Sequence, residues 1–121
     1  MSISKRIAVV CRQPPYGSSL AREALDAAMA AAAFDQQVAM IFLGDGVWQL
    51  CRDQQPAAIG QRSLEKQLAT LPLYEVDALY ADADAMHQRG LDAAELSLPV
   101  TLLDTAAISA LLQQQDVVLS F

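Results

Sequence analysis

Residues 6–33 read RIAVVCRQPPYGSSLAREALDAAMAAAA, and the fold class turns on this stretch. After Arg6 the first run, Arg6–Cys11, is continuously apolar rather than alternating. A strand with one wet face alternates, whereas a strand covered on both faces, as in a parallel sheet, does not. The run breaks at QPPYGSS, residues 13–19, where two prolines and a glycine forbid regular structure. Beyond it Leu20, Ala24, Leu25, Ala28 and Ala32 recur at helical spacing and form a stripe suited to packing on a sheet. Ser18 or Ser19 stands where a helix N-cap is needed. Strand, turn and helix together make the first half of a parallel crossover unit.

The same pattern repeats to the end of the chain. Apolar runs occur at Val38–Leu43 (VAMIFL), Val76–Tyr80 (VDALY), Pro99–Leu103 (PVTLL) and Asp116–Phe121 (DVVLSF). Helical stretches separate them. Residues 18–33 form the first, and residues 59–71 the second, ending before Pro72, which cannot extend it. Residues 81–90 form the third, with Asp82 or Asp84 at its start, Arg89 at its negative end and Gly90 as a left-handed cap. Residues 105–114 form the last. The expected architecture is α/β, a single-domain, doubly wound, flavodoxin- or Rossmann-like, mainly parallel five-stranded sheet with helices on both faces. Residues 1–121 constitute that one domain.

Composition limits what such a domain does. The 121 residues are 54% hydrophobic and 6% aromatic, so Ala, Val, Leu and Ile build the core. A mean hydropathy of +0.24 is high for a small domain, which leaves much of its surface outside. Alanines 27, 28 and 30–33 widen the stripe of the first helix almost all the way round, offering a second face to another subunit. The net charge of −6 and the pI near 4.4 oppose direct binding to nucleic acid or to an anionic membrane. No apolar segment approaches the ~20 residues of a spanning helix, and the N-terminus does not read as a signal peptide. Cys11 and Cys51 form neither a disulfide framework nor a metal cluster. The chain reads as cytoplasmic.

Few residues invite a chemical role. The QPPYGSS turn lies where doubly wound folds bind ligands, but one glycine, no following Lys and two missing donors make it no dinucleotide fingerprint or P-loop. It reads as a rigid turn with Tyr16 exposed for contact, a nucleotide or flavin site being the lesser alternative. Cys11 reads as a buried, inert thiol. Cys51 follows the segment GDGVWQL, residues 44–50, and Arg52 beside it favours a thiolate, while Asp45 and Asp53 oppose one. Cys51 is the one candidate nucleophile. His87, the sole histidine, suits a helix C-terminus and cannot make a metal site alone. Asp82 and Asp84 read as caps. No cofactor and no metal is expected.

The ordered segments KRIAVV, PPYGSSLAREALDAAMA, IFLGDGVWQL, QQPAAI, LPLYEVDALYADADAMHQRGLD and DVVLSF resemble the DsrE/DsrF/DsrH-like sulfur-relay family, in particular its TusC/DsrF-type subunits. The resemblance spans nearly the whole chain. It implies a hetero-oligomer with TusB-like and TusD-like subunits that passes persulfide sulfur towards 2-thiouridine at the tRNA wobble position. In that family the sulfur-carrying cysteine belongs to the TusD-like subunit and lies at the end of the third strand, ahead of a helix closed by an Arg-Gly pair. Laid through Arg89 and Gly90, the pattern puts that position at or next to Asp82. An aspartate cannot hold a persulfide, so the resemblance implies a non-catalytic structural subunit. A sulfurtransferase using Cys51, or a DsrF-like subunit of a sulfur-oxidation complex, is the alternative. On this reading GDGVWQLC presents Val47, Trp48 and Leu50 to a neighbouring subunit, with Tyr16 a further contact. The competing possibility is Trp48 as core of its own chain.

Overall fold

The computed structural model describes residues 4–51, 64–76 and 78–121. Five strands form one sheet in the order β4-β3-β2-β1-β5, every neighbouring pair parallel. They are β1 (Arg6–Cys11), β2 (Gln37–Phe42), β3 (Ala78–Asp82), β4 (Thr101–Leu103) and β5 (Val117–Ser120). The helices are α1 (Leu20–Ala33), α2 (Leu64–Leu68), α3 (Ala83–Gln88) and α4 (Thr105–Gln113), with 3-10 segments at Gly44–Leu50, Leu71–Tyr74 and Ala93–Glu95.

Strand order dictates where the helices lie. From β1 to β4 the chain always steps the same way, so right-handed connections put α1, α2 and α3 on one face of the sheet. The return from β4 to β5 runs the other way and puts α4 on the opposite face. The packing agrees. Ala24, Leu25 and Ala28 of α1, Leu68 of α2 and Met86 of α3 share one cluster with Val9, Met40 and Leu79 of the sheet. Ile108 of α4 packs instead on Ala8 and Ile41. Register alternates faithfully: Val9, Met40 and Leu79 lie abreast on the first face, and Val10, Ile41 and Tyr80 on the second.

Several expectations shift. Helix α1 buries Ala21 together with Ala24, Leu25 and Ala28, while Leu20 is only half-buried. Ser19 occupies the N-cap position without a side-chain bond, and Ser18 Oγ accepts weakly from Leu20 N–H at 3.4 Å. The second helix ends at Leu68, not Leu71. Pro72 sits in the first turn of a 3-10 segment, where its lacking N–H costs nothing. The start expected at Ile59 lies outside the described residues. Strand β3 begins two residues later than the apolar run, because Val76 N–H is committed to Leu71 O at 3.1 Å and leaves the ladder. Strand β4 excludes Pro99 and Val100. As expected, Gly90 is left-handed, with φ of 67° behind Arg89 at the end of α3.

Candidate functional site

Parallel strands all deliver their carboxyl ends to one edge of the sheet, and the candidate residues lie at those strand ends or in the segments that follow them. At the end of β1, Cys11 is buried, and desolvation of its thiolate raises the thiol from an ordinary 9.0 to about 12. Its carbonyl accepts from Leu43 N–H at 2.9 Å, which brings the end of β2 against β1. The chain then enters the 3-10 segment Gly44–Leu50, where Gly46 lies so close to Cys11 that a β-carbon would overlap the Cys11 carbonyl oxygen.

That segment is held from both sides. Gln49, the one buried polar residue among those described, donates from Nε2 to Gln13 O at 2.8 Å and anchors the proline turn above β1. Asp45 Oδ1 accepts from Arg89 Nε and lies 3.0 Å from Arg89 Nη2. Arg89 Nη1 also donates to Ala85 O at 3.1 Å, so one guanidinium ties the segment to the last turn of α3. The sequence offered a helix-end charge at Arg89 and nothing to indicate its partner. Asp45 belongs to this ion pair. Cys51, half-buried, forms an isolated antiparallel bridge with Leu96. Next to that bridge, Ser97 N–H donates to Leu50 O at 2.7 Å. Arg52 and Asp53, invoked for and against a Cys51 thiolate, lie outside the described residues.

Two expected interface residues are corrected by this geometry. Val47 and Leu50 are completely buried in the core beneath the segment and offer nothing to a neighbour. A 3-10 segment laid over the strand ends turns its small and aliphatic positions inward, and the run VWQL gives no period from which to read that. Trp48, between them, remains 37% exposed. Tyr16 is half-buried and packs against the core edge rather than standing clear of it.

Asp82 is the last residue of β3 and the N-cap of α3, its Oδ1 accepting from Asp84 N–H at 3.0 Å. Asp84 Oδ2 in turn accepts from Thr105 Oγ1 at 3.5 Å. His87 is exposed in the last turn of α3. Beside this helix, Met86, Leu91 and Leu102 of β4 line an open groove of about 400 Å³. Among the described residues no group of three or more His, Cys, Asp or Glu could hold a metal ion. No helix among them is long and apolar enough to cross a membrane.

The arrangement defines a class: a parallel α/β domain whose strand-end site carries a capping aspartate, one buried thiol and one half-buried thiol, stapled by an ion pair. Residues 5–121 match the DsrE/DsrF-like family, and the chain belongs to that family. It is 42% identical over 118 residues to a protein TusC homolog of Pseudomonas aeruginosa, covering 98% of this chain and 99% of that protein. It is 36% identical over 133 residues to the intracellular sulfur oxidation protein DsrF of Allochromatium vinosum, covering 98% of each. The chain is therefore of the TusC/DsrF type. Among solved structures, the ychN protein of E. coli superimposes with a TM-score of 0.84 at 21% identity, over 98% of this chain and all of that one, a likeness of fold.

Proposed function

We propose that the chain, as one domain over residues 1–121, is a non-catalytic structural subunit of a cytoplasmic sulfur-relay complex. It assembles with TusB-like and TusD-like subunits and supports 2-thiolation of the tRNA wobble uridine. The observation that carries this is Asp82. It ends β3, at or next to the position where the family pattern has the sulfur-carrying cysteine of the TusD-like subunit, and its carboxylate is engaged in capping α3. A carboxylate can accept hydrogen bonds but cannot form the S–S bond of a persulfide. Cys11 does not substitute for it, being buried and protonated far above neutral pH. Trp48 and Tyr16, partly exposed on the loops at the same edge, are the contacts proposed for a partner subunit.

The test is reconstitution. The chain co-elutes with TusB-like and TusD-like partners in size-exclusion chromatography, and Trp48→Ala weakens that association several-fold. Labelled persulfide supplied to the complex leaves both Cys51→Ser and wild-type chains unlabelled and transfers at the same rate through either. Failure to co-elute with either partner removes the proposal. A persulfide on Cys51 that is required for product replaces it with the thiol-active reading, whose support is the half-buried position of Cys51 in the loop after β2.

The similarity to DsrF favours a second setting for the same structural role, a sulfur-oxidation complex. Deletion of the gene separates the two. Loss of 2-thiouridine from bulk tRNA supports the first setting, and intact thiouridine with impaired sulfur oxidation supports the second.

A further inference from the structure

The amino-terminal edge of the sheet, opposite the strand-end site, carries the two most exposed large apolar side chains among the described residues. They are Leu73 at 83% and Phe34 at 76%, and Tyr74 beside Leu73 is 47% exposed. Phe34 caps the C-terminus of α1, and Leu73 and Tyr74 belong to the 3-10 segment Leu71–Tyr74 that packs against α1. Between the two elements lies a groove of about 500 Å³, with Val38 and Ala78 at the strand ends, Ala32 and Asp35 on one wall and Tyr74 and Glu75 on the other. Apolar side chains grouped beside a concave surface are what a protein contact covers.

The charges on this groove say what covers it. Asp35 and Glu75 lie on opposite walls, and among the described residues no Lys or Arg lines it. Neither carboxylate forms an ion pair among the described residues. Both also occupy backbone positions that suit glycine better. Each has φ of 62°, and they are the only described residues other than glycine with positive φ. Asp35 N–H and Gln36 N–H close the end of α1 on Ala32 O and Ala31 O. Glu75 N–H and Val76 N–H close the 3-10 segment on Pro72 O and Leu71 O in the same way. At both turns a glycine would relieve the backbone, and at both the chain has a carboxylate instead. A second copy of this chain meeting the groove through the same face would set these carboxylates against each other. A polyanion such as RNA or an acidic membrane would be repelled.

From this we infer that the groove docks a short segment of another protein, an apolar or aromatic anchor flanked by Lys or Arg. The anchor lies beside Tyr74, Ala32 and Val38 in the groove, with Phe34 and Leu73 exposed next to its lining residues in sequence, and the cations meet Asp35 and Glu75. The inference goes beyond the structural-subunit reading and uses none of its residues.

A photo-crosslinking amino acid placed at position 73 of the full chain, in its own cells, tests it. The expected adduct joins position 73 to one partner peptide that carries Lys or Arg beside an apolar residue. Its yield falls at least fivefold in the Asp35→Asn/Glu75→Gln double variant and is unchanged in Asp26→Asn, an exposed acidic control on α1. Glu75→Gly is expected to raise the melting temperature while lowering the yield, which separates lost docking from lost folding. An adduct to another copy of this chain, to RNA or to an acidic peptide overturns the inference. So does a yield indifferent to the double variant, or one no higher than from a crosslinker at position 26. Assembly with TusB-like and TusD-like subunits, followed in the same cells by size, reports separately on the earlier reading.

Discussion

A β-carbon at position 46 would overlap the carbonyl oxygen of Cys11, and that oxygen already accepts the Leu43 N–H. Gly46→Ala therefore has to push the 3-10 segment off β1, and the buried Val47, Gln49 and Leu50 move with it. The expected loss is about 3 kcal/mol, at the upper end for overpacking because the obstacle is backbone that cannot rotate away. Urea denaturation measures it, and a loss below about 1 kcal/mol would mean that the segment adapts. Cys11 allows a second prediction, with a definite sign. In the unfolded chain its thiol ionises from about pH 9, whereas burial holds the folded thiol protonated to about 12. Between these values the unfolded state binds fewer protons, so stability falls as pH rises, by at most about 1.4 kcal/mol per pH unit. Below pH 9 this contribution is constant. Cys11→Ala should flatten that alkaline slope in denaturation series at pH 8, 9 and 10, and an unchanged slope would show that other groups cause it.

Helix α4 depends on its first turn. Nine residues long, it buries only Ile108, and Asp104 Oδ1 caps it by accepting from Ala107 N–H at 2.8 Å. Asp104→Ala should cost about 1 kcal/mol, the usual value of such a cap. Ser19→Ala, at a cap position without a side-chain bond, should change stability by less than about 0.5 kcal/mol. Equal effects in thermal unfolding would contradict the assignment of caps. The same contrast explains what the sequence made legible. Strands β1, β2 and β5 were readable because their apolar runs coincide with their ladders to within a residue or so. Strand β3 was displaced because Val76 is buried without being in the sheet, its N–H spent on the preceding turn. Hydrophobicity reports burial, not ladder membership. The strand-end loops were legible in place but not in orientation. Burial of Val47 and Leu50 and the Asp45–Arg89 pair depend on how segments far apart in sequence meet, and no local period encodes that.

On the scale of the whole molecule, the two faces of the sheet are unequally covered. Among the described residues three helices lie on one face and α4 alone on the other, while β5, at the sheet edge, leaves Val117 36%, Val118 47% and Leu119 37% exposed. The high mean hydropathy is thus spent partly outside the core, which is the surface the proposed assembly would cover. Electrostatics points the same way. A net charge of −6 over 121 residues opposes the approach of a polyanion and disfavours the displacement of counterions from phosphates. Each phosphate contact steepens the log–log salt dependence of affinity by about 0.7–0.9. Isolated protein titrated with tRNA at rising salt should accordingly show no measurable binding at physiological ionic strength, and a slope shallower than about −1 at low salt. A slope steeper than about −3 would require several Lys or Arg contacts acting together. The chain would then grip RNA itself, and a role confined to protein contacts would no longer account for it.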